Sequence, residues 1–397
     1  MQVRRCAVVF VEPRERLDFD LARLVSGGTG VETVLEWIAL AAHLDDELLL
    51  CADEMQALGT MSPEKWVDLD SIADPAHLRV LQGLLGKGLL ISDAGAQGDV
   101  RRRDEDVRAS HWRGISAALH RHTRWRGIDT LEAEQRFGRE SDRPFLDRLG
   151  APEAPVRERV EPGRRIALGK AADSGLEALI RQRVTCRNWD TTRPLSTEDF
   201  ATTLYRTFGA RATSDEPGIT VMKRAVPSAG GLHPTEAYLL VQNVEGVRPG
   251  LYHYHPIDHA LEPLAEVAPE DSEALALRLV AGQRHFMKAH VVIVLASRFR
   301  RTFWKYRNHA KAYRAVILDA GHLSQTLYLA AAERGLAAFI TAAVNERDIE
   351  EIFGLDPMLE GVLAVSGFGW RGEFVDEVEF DPLGSVWPNG GGMKKVE

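Results

Sequence analysis

Two arginines and a threonine lie close together near the middle of this 397-residue chain, in the segment RVTCR at residues 183–187. The guanidinium groups of Arg183 and Arg187 could grip a phosphate through paired hydrogen bonds, and the Thr185 hydroxyl could reach its third oxygen. A helical pattern ends just before this trio. Taken alone, such a segment is more often a solvated basic turn, so its meaning depends on the other motifs.

A glycine-rich loop directly precedes a strand pattern in VPSAGGLHPTEAYLL, residues 226–240. Small residues at this position let backbone N–H groups approach a flat or anionic ligand closely. The segment is not a Walker loop, because no Gly-Lys-Ser/Thr follows, and it lacks the G-x-G-x-x-G pattern of dinucleotide-binding folds. A tight turn without a ligand explains it about as well.

Lys305 and Tyr306 precede the longest helical pattern of the chain. A lysine beside a tyrosine and near an apolar pocket can have a lowered pKa and act as a base, although surface lysines are more common. Arg371, in VSGFGWRG at residues 365–372, follows a strand pattern and could reach the same phosphate as Arg183. The histidines of HYHPIDH, residues 253–259, indicate a turn between two strands, and no metal site is predicted.

The elements that position these residues alternate between strand and helix in the second half of the chain. Strands are predicted at residues 237–244 and 290–297, and a helix at 197–207 with Ser196 as its N-cap. The longest helix is predicted for residues 311–334, ending at Gly335. Because both its sides are apolar, we expect both to be buried, in a core or a subunit interface.

The first half predicts a separate N-terminal domain. A buried strand is expected at residues 6–11, and helices at 32–50 and 74–85. The segment LRVLQGLLGKGLLISD, with a strand at 89–92, is typical of the last helix and wing of a winged helix-turn-helix. Residues 94 to about 162 have the composition of a connecting region. We therefore predict a winged-helix-like, mainly helical domain with its linker at 1–160 and a second domain at 161–397.

Composition excludes several classes of protein. A net charge of −9 argues against nucleic-acid binding as the main task, because phosphate neutralisation needs a basic surface. The three cysteines are scattered and form no Cys-x-x-Cys pair, which predicts neither disulfides nor zinc. No stretch is apolar enough for a membrane span, and the first twenty residues are too charged for a signal peptide, so we expect a cytoplasmic protein.

Four motifs together carry a resemblance to a known family. They are PSAGGLHPTEAY, GLYHYHP, KYR followed by AYR, and DAGHLSQTLYLAAAERGL, in this order. The combination resembles the SagB-type dehydrogenases, FMN-dependent enzymes that oxidise thiazolines and oxazolines of ribosomally made peptides to azoles. The resemblance covers about residues 175–372 and is closest to the group described as peptide maturation dehydrogenases.

The resemblance implies an α+β fold, a nitroreductase-like three-layer sandwich with a mixed sheet flanked by helices, and a homodimer that binds FMN at its interface. Arg183, Thr185 and Arg187 would hold the FMN phosphate, joined by Arg371, and Lys305 and Tyr306 would be catalytic. The residues that would contact the flavin are Pro227, Ser228, Ala229, Gly230, Gly231, Gln325, Thr341, Ala342 and Ala343.

This sequence departs from the family pattern at three of these places. The family usually has serine where Thr185 stands, asparagine after the residue matching Gln325, and a glycine-rich turn where Thr341, Ala342 and Ala343 stand. Threonine keeps the hydroxyl, so the phosphate assignment survives. The assignment of flavin contacts near Thr341 is the one that these departures weaken most.

The expected activity is FMN-dependent oxidation of thiazoline or oxazoline to thiazole or oxazole, with Lys305 as the base, Tyr306 orienting it and oxygen reoxidising the flavin. One alternative is a stand-alone NAD(P)H-dependent nitro or flavin reductase, against which the N-terminal extension and Lys305–Tyr306 speak. Another is a non-catalytic peptide-binding protein with a decayed flavin site. Expected partners are a second copy, a precursor peptide, and a cyclodehydratase or other peptide-modifying enzymes. The N-terminal domain either docks a leader peptide by strand addition or serves as a scaffold.

Overall fold

The computed structural model describes residues 1–95, 98–136, 150–169 and 172–392, which form two compact units. The first unit contains Met1–Arg124, Ser297–Val316 and Leu355–Gly361, and the second contains Trp125–Ala296, Ile317–Gly354 and the chain from Val362 onward. The domain division predicted at residue 160 stays a prediction. Within the described residues, no helix combines the length and the apolar character needed to span a lipid bilayer.

The N-terminal part of the first unit is a mixture of strands and helices. It contains β1 (Gln2–Arg5), β2 (Val9–Phe19), α1 (Leu21–Val25), β3 (Val31–Ala41), β4 (Leu48–Leu50), α2 (Ala52–Thr60), β5 (Val67–Asp68), α3 (Pro75–Gly86), β6 (Leu90–Ser92), α4 (Gly98–Ala109) and α5 (Gly114–His122). The strands form two sheets, ordered β5-β1-β6 and β2-β3-β4. Two small sheets thus accompany the helices that the sequence predicts for this domain.

Helix α3 and strand β6 confirm the predicted helix–strand pair. The Asp74 carboxylate accepts a hydrogen bond from the Ala76 N–H at 2.9 Å, and Pro75 occupies the first turn. Gly88, with φ of +73°, lets the chain reverse into β6, whose residues Leu90 and Ile91 are fully buried. The winged-helix assignment itself stays a prediction.

A long hairpin replaces the helix expected at residues 32–50. Strands β2 and β3 pair antiparallel from Val9 opposite Ala41 to Phe19 opposite Val31. The expected strand at residues 6–11 begins only at Val9 but continues through Pro13, which an edge strand of a sheet tolerates. Apolar residues spaced by two, three and four fit both a helix and a strand, and the pairing partner decided between them.

The expected connecting region is largely helical where it is described. Helices α4 and α5 belong to the first unit, with Asp104 and Ala117 fully buried, and α6 (Thr130–Arg136) belongs to the second. Some of the charged residues that suggested a linker form buried polar contacts instead. The Asp104 carboxylate, for example, accepts hydrogen bonds from the Ala7 N–H and the Arg108 guanidinium. Residues 96–97 and 137–149 of this region lie outside the described residues.

The remaining elements build an α+β fold. They are α7 (Gly175–Arg181), α8 (Thr197–Phe208), β7 (Ala212–Glu216), β8 (Ile219–Lys223), β9 (Thr235–Val241), β10 (Gly250–His255), β11 (Ala260–Glu266), α9 (Pro269–Leu279), β12 (Val291–Arg298), α10 (Phe299–Lys305), α11 (Ala312–Glu333), β13 (Ala337–Thr341), α12 (Glu346–Phe353) and β14 (Glu360–Gly369). Six strands form one mixed sheet, ordered β11-β10-β9-β12-β14-β13. The predicted fold class and the predicted elements at 197–207, 237–244 and 290–297 are confirmed.

Helix α11 forms the core of the second unit with α8 and the sheet. Its residues Ala320, Leu323 and Leu327 are buried in one apolar cluster with Phe200 of α8 and Phe368 of β14. The opposite side of α11 is exposed in the single chain: Ile317 is 48% and Leu318 62% exposed. The predicted burial of both sides therefore holds for one side only, and a subunit interface on the other side stays a prediction.

Candidate active site

The segment after α7 presents its two arginines and its threonine on one side. Val184 and Cys186 are buried, and the Cys186 N–H donates to the carbonyl of Ala338 in β13 at 2.9 Å. Extended backbone alternates its side chains, so Arg183, Thr185 and Arg187 point away from the core.

These three side chains line a cavity of about 710 Å³ within the second unit. Thr341 and Ala343, the predicted flavin contacts at the end of β13, line the same cavity. The other described wall residues are Thr130, Leu131, Gln283, His285, Phe286, Ile340 and Phe380. Five predicted site residues from two distant parts of the sequence thus meet around one cavity. Ala342 lies between two of them in the chain, and its side chain is exposed.

Gln283 fixes the turn at the end of β13. The Thr341 hydroxyl donates to Gln283 Oε1 at 3.1 Å and accepts a hydrogen bond from the Ala343 N–H at 3.1 Å. Gln283 Nε2 donates to the Ala343 carbonyl at 2.7 Å. The threonine and the glutamine thereby replace the glycine-rich turn of the family pattern with a hydrogen-bonded one. The sequence offers no signal for Gln283, because the glutamine lies in an irregular segment.

Tyr328 of α11 supports two of the phosphate-binding candidates. Its hydroxyl lies 2.9 Å from the Thr185 hydroxyl, and the Arg183 guanidinium lies 5.6 Å from its ring centroid. Burial raises the pKa of the Tyr328 hydroxyl, so that it stays protonated and can donate to Thr185. The helical pattern of the sequence indicates only that Tyr328 is buried.

The cavity favours an anionic ligand. Among the described residues of its wall, two are arginines and none is Asp or Glu. Burial, and next the positive charge of Arg187, lower the pKa of His285 to about 4, so this histidine is neutral at pH 7. The positive charge of the cavity therefore comes from Arg183 and Arg187.

Arg371 contacts the backbone of the segment that forms the cavity wall, and it is not among the described residues that line the cavity. Its guanidinium forms an ion pair with the buried Glu379, and Nη2 donates to the Val184 carbonyl at 3.1 Å. Glu379 also accepts a hydrogen bond from the Arg187 N–H at 2.7 Å. The structure thus gives Arg371 a role in holding the backbone of residues 184–187 rather than a place facing the cavity. Sequence analysis missed Glu379, which lies 192 positions from Arg187.

The predicted glycine-rich loop is held by a buried carboxylate on α11. The Ser228 hydroxyl donates to Asp319 Oδ2 at 2.5 Å, and the Ala229 N–H donates to Oδ1 at 3.3 Å. Burial raises the pKa of Asp319, and the hydrogen bond from Ser228 opposes this shift. Gly230 and Gly231 have φ of +63° and +69°, values that favour glycine.

This loop faces solvent in the single chain. Pro227, Gly230 and Gly231 are exposed, as is Gln325 on α11, and none of them belongs to the described lining of the cavity. An added Cβ at Gly231 would meet no heavy atom within 4 Å. The loop and Gln325 are therefore accessible to a ligand or to another protein.

Lys305 and Tyr306 lie at the end of α10, in the first unit. The Lys305 side chain is exposed, and its Nζ lies 5.7 Å from the centroid of the Tyr306 ring. The pair is thus adjacent as predicted, but solvent rather than apolar side chains surrounds the amine.

Comparison with known proteins finds that the chain is similar to nitroreductases. A family model described as "Nitroreductase family" matches residues 180–370. MJ1384 of Methanocaldococcus jannaschii, which carries the name of a nitroreductase, is 30% identical over 177 residues, 45% of this chain and 83% of that protein. Similar solved structures cover 43% to 58% of this chain with TM-scores of 0.33 to 0.44.

Two further relatives are named for the processing of peptides. The trifolitoxin-processing protein TfxB of Rhizobium leguminosarum bv. trifolii is 32% identical over 145 residues, 36% of this chain and 38% of TfxB. The microcin B17-processing protein McbC of Escherichia coli is 30% identical over 162 residues, 40% of this chain and 57% of McbC. These similarities confirm the resemblance to peptide-maturing enzymes that the motifs indicated. The chain belongs to the nitroreductase family.

Proposed function

We propose that this protein is an FMN-dependent dehydrogenase that acts on a ribosomally made peptide during its maturation, oxidising thiazoline or oxazoline rings to thiazole or oxazole. The observation that carries the proposal is the cavity in which Arg183, Thr185 and Arg187 meet the turn of Thr341 and Ala343. The similarity to TfxB and McbC supports a peptide as the substrate.

The residues present fit FMN. The cavity volume lies within the range typical of small-molecule sites, and its donors match a phosphate, with two guanidinium groups, one hydroxyl and no carboxylate in the described wall. FMN, when bound, would supply the acceptor for the hydride that leaves the azoline ring. Arg183 and Arg187 would hold the phosphate, and the backbone of residues 341–343 would border the ring system.

Tyr328 would set the direction of the hydrogen bond at the phosphate. Because its protonated hydroxyl can donate to the Thr185 oxygen, the proton of Thr185 is left to donate to a phosphate oxygen. A valine at position 185 would keep the shape of the side chain but lose this donor. The glycine-rich loop, which Asp319 holds open to solvent, would cover the ring system from a second copy of the chain.

Lys305 would remove the proton in the oxidation. Converting an azoline to an azole removes a hydride and a proton, and the proton leaves the carbon next to the carbonyl group. Lys305 Nζ, after releasing its own proton to solvent, would take this proton, while Tyr306 orients the amine. The exposure of Lys305 gives an extended peptide access to the amine.

The decisive experiment is the visible spectrum of the purified protein, followed by anaerobic mixing with an azoline-containing peptide and separately with NADPH. Flavin absorption that is bleached by the peptide supports the proposal. Bleaching by NADPH alone would make the protein a reductase, as the name of MJ1384 suggests for that relative. A protein that stays colourless after addition of FMN would contradict the proposal altogether.

The variant Lys305→Ala tests the role of the proposed base separately from the binding of FMN. Lys305→Ala should retain FMN, because Lys305 is not part of the described cavity wall, but should lose most peptide oxidation, since general-base catalysis contributes about 10²- to 10⁴-fold. Turnover close to that of the wild type would remove Lys305 from the mechanism while leaving the FMN assignment intact.

The chain spans 38% and 57% of the length of TfxB and McbC, so partners are proposals of their own. We propose a precursor peptide as the substrate, a second copy of the chain as the dimer partner, and a cyclodehydratase or another peptide-modifying enzyme as the source of the azoline. Oxidation of an azoline requires that a dehydrating cyclisation has formed it first.

A further inference from the structure

The chain around Lys305 is strongly basic although the protein as a whole is acidic. Residues 298–314, RFRRTFWKYRNHAKAYR, contain seven lysines and arginines and no Asp or Glu, in a protein of net charge −9. A run of like charge is usually diluted by the opposite sign, which lowers its self-repulsion. A segment without any acidic residue is therefore a candidate for binding an anionic partner.

Four cations of this segment point into solvent. Lys305, Arg307, Lys311 and Arg314, hereafter the basic surface, are exposed, and within the described part of the chain none of them forms an ion pair. The neighbouring Arg300 shows the contrast, because its guanidinium lies 3.3 Å from the Asp106 carboxylate. The charged ends of these four side chains are therefore accessible to an anionic partner.

Apolar anchors fix the segment to the first unit. Phe299 and Phe303 are buried against Trp112, with ring centroids 4.5 and 4.7 Å from it. The side of α10 that carries Lys305 consequently has a defined position. Trp304 is 54% exposed beside Lys305, which adds an apolar contact next to the cations. Tryptophan and arginine are enriched among the residues that contribute most to binding at protein interfaces.

We propose that the basic surface binds acidic side chains of the substrate peptide, so that the substrate class is an acidic peptide segment flanking the ring to be oxidised. The inference rests on the proposed function for calling this peptide the substrate. Two observations favour a peptide over a nucleic acid. The surface offers only four such cations, and the rest of the protein is negative and would repel a long polyanion.

Binding of defined peptides to the full-length protein tests the proposal. The probes are a fluorescein-labelled peptide in which glutamates alternate with leucine and serine, and the same peptide with glutamine at each glutamate. We expect the glutamate peptide to bind roughly tenfold more tightly at low salt. We also expect most of this preference to be lost at about 0.15 M salt, because the Debye length falls to about 8 Å.

A charge reversal away from the proposed catalytic pair supplies the matched variant. Lys311→Glu/Arg314→Glu should abolish the preference for glutamate, whereas Lys65→Glu/Arg79→Glu, which changes the net charge equally at exposed positions of the same unit, should leave it largely intact. Circular dichroism verifies that both proteins are folded. Position 314 lies in the first turn of α11, where glutamate is favourable, so loss of folding is not expected.

The outcomes separate this inference from the proposed function. Equal effects of the two double variants, or tighter binding of a single-stranded RNA of matched charge, would overturn the inference. The probes contain no azoline, so a protein without flavin that still prefers glutamate through Lys311 and Arg314 would lose the proposed function but retain the acidic-peptide site.

With an active enzyme and an acidic azoline peptide, Lys311→Glu/Arg314→Glu should raise KM several-fold and leave kcat nearly unchanged. A fall in kcat alone would contradict a role in binding.

Discussion

Arg183, Thr185 and Arg187 owe their common direction to a local backbone geometry. The segment runs beside β13 with Val184 and Cys186 buried, and Glu379 holds the backbone of Arg187. The guanidinium groups themselves remain exposed at the cavity, where a phosphate would gain charge-assisted hydrogen bonds. Removing one of these arginines should therefore affect ligand binding far more than folding.

Arg183→Ala should weaken FMN binding roughly 10- to 100-fold, because a hydrogen bond to a charged group contributes about 1.5–3 kcal/mol. Quenching of FMN fluorescence during titration with apoprotein measures the Kd. Arg181→Ala is the control, since Arg181 ends α7 two positions earlier and is paired with Asp173 and Glu177. Equal Kd values for the two variants would remove Arg183 from the phosphate site.

Tyr328→Phe tests the support of Thr185. The change removes the hydroxyl that lies 2.9 Å from Thr185 Oγ and keeps the ring beneath Arg183. We expect a loss of about 1 kcal/mol in the free energy of unfolding and a several-fold higher Kd for FMN. Denaturant unfolding and FMN titration measure the two effects. An unchanged Kd would mean that Thr185 is oriented without Tyr328.

At the scale of elements, one wall of the cavity depends on a close approach of two chain segments. The Thr130 N–H donates to the Ala281 carbonyl at 2.9 Å, which places the start of α6 against the turn that follows α9. Gly282 makes this approach possible, since a Cβ there would lie 2.4 Å from the Asp129 carboxyl carbon. This contact helps to place Thr130 and Leu131 at the cavity, which both residues line.

Gly282→Ala should displace the start of α6 and lower the free energy of unfolding by about 2–4 kcal/mol, through a clash and through strain at φ of +79°. FMN binding should weaken as the wall moves. Gly218→Ala is the control for backbone strain alone, because Gly218 has φ of +83° and an added Cβ would meet no heavy atom within 4 Å. This variant should lose about 1–2 kcal/mol in the free energy of unfolding. Denaturant unfolding measures both variants, and equal losses of stability would rule out the clash at Gly282.

At the scale of the whole molecule, the exposed side of α11 is the predicted dimer interface. Leu318→Glu should convert a wild-type dimer into a monomer and reduce FMN binding, because it places a charge in an apolar contact and separates the two glycine-rich loops from the opposite cavities. Light scattering during gel filtration measures the mass. Leu264→Glu, at an exposed leucine of β11, should remain dimeric. A monomeric wild type with full FMN affinity would contradict the dimer.

Buried histidines should make the whole protein sensitive to acid. Burial is the main cause that lowers the pKa of His43 to about 4 and that of His120 to about 3, from an ordinary value of 6.5. Between these values and pH 6.5 the unfolded chain binds more protons than the folded one, so stability is lost as the pH falls through this range. Each histidine adds a slope of at most about 1.4 kcal/mol per pH unit.

Urea unfolding at pH 7.5, 6 and 5 measures this slope. His120→Gln should be less stable than the wild type at pH 7.5, because His120 hydrogen-bonds to Tyr313 and to the Pro357 carbonyl, but should lose less stability on acidification. A slope as steep as that of the wild type would show that other groups cause the acid sensitivity.

The sequence by itself determined the local features of this protein. The cap at Ser196 and the apolar stripe of α11 each depend on neighbours a few positions away, so the pattern was enough to predict them. The order of the motifs also determined the family resemblance.

Only the tertiary structure decided which distant residues support the site. Tyr328 lies 143 positions from Thr185, Glu379 lies 192 from Arg187, and Asp319 lies 91 from Ser228. Such pairs form because the fold brings polar groups together where each needs a hydrogen-bond partner after burial, and this need has no period in the sequence. The hairpin of β2 and β3 was also decided by the tertiary structure. Its apolar spacing fits a helix as well as a strand, and only the pairing of the two strands distinguishes them.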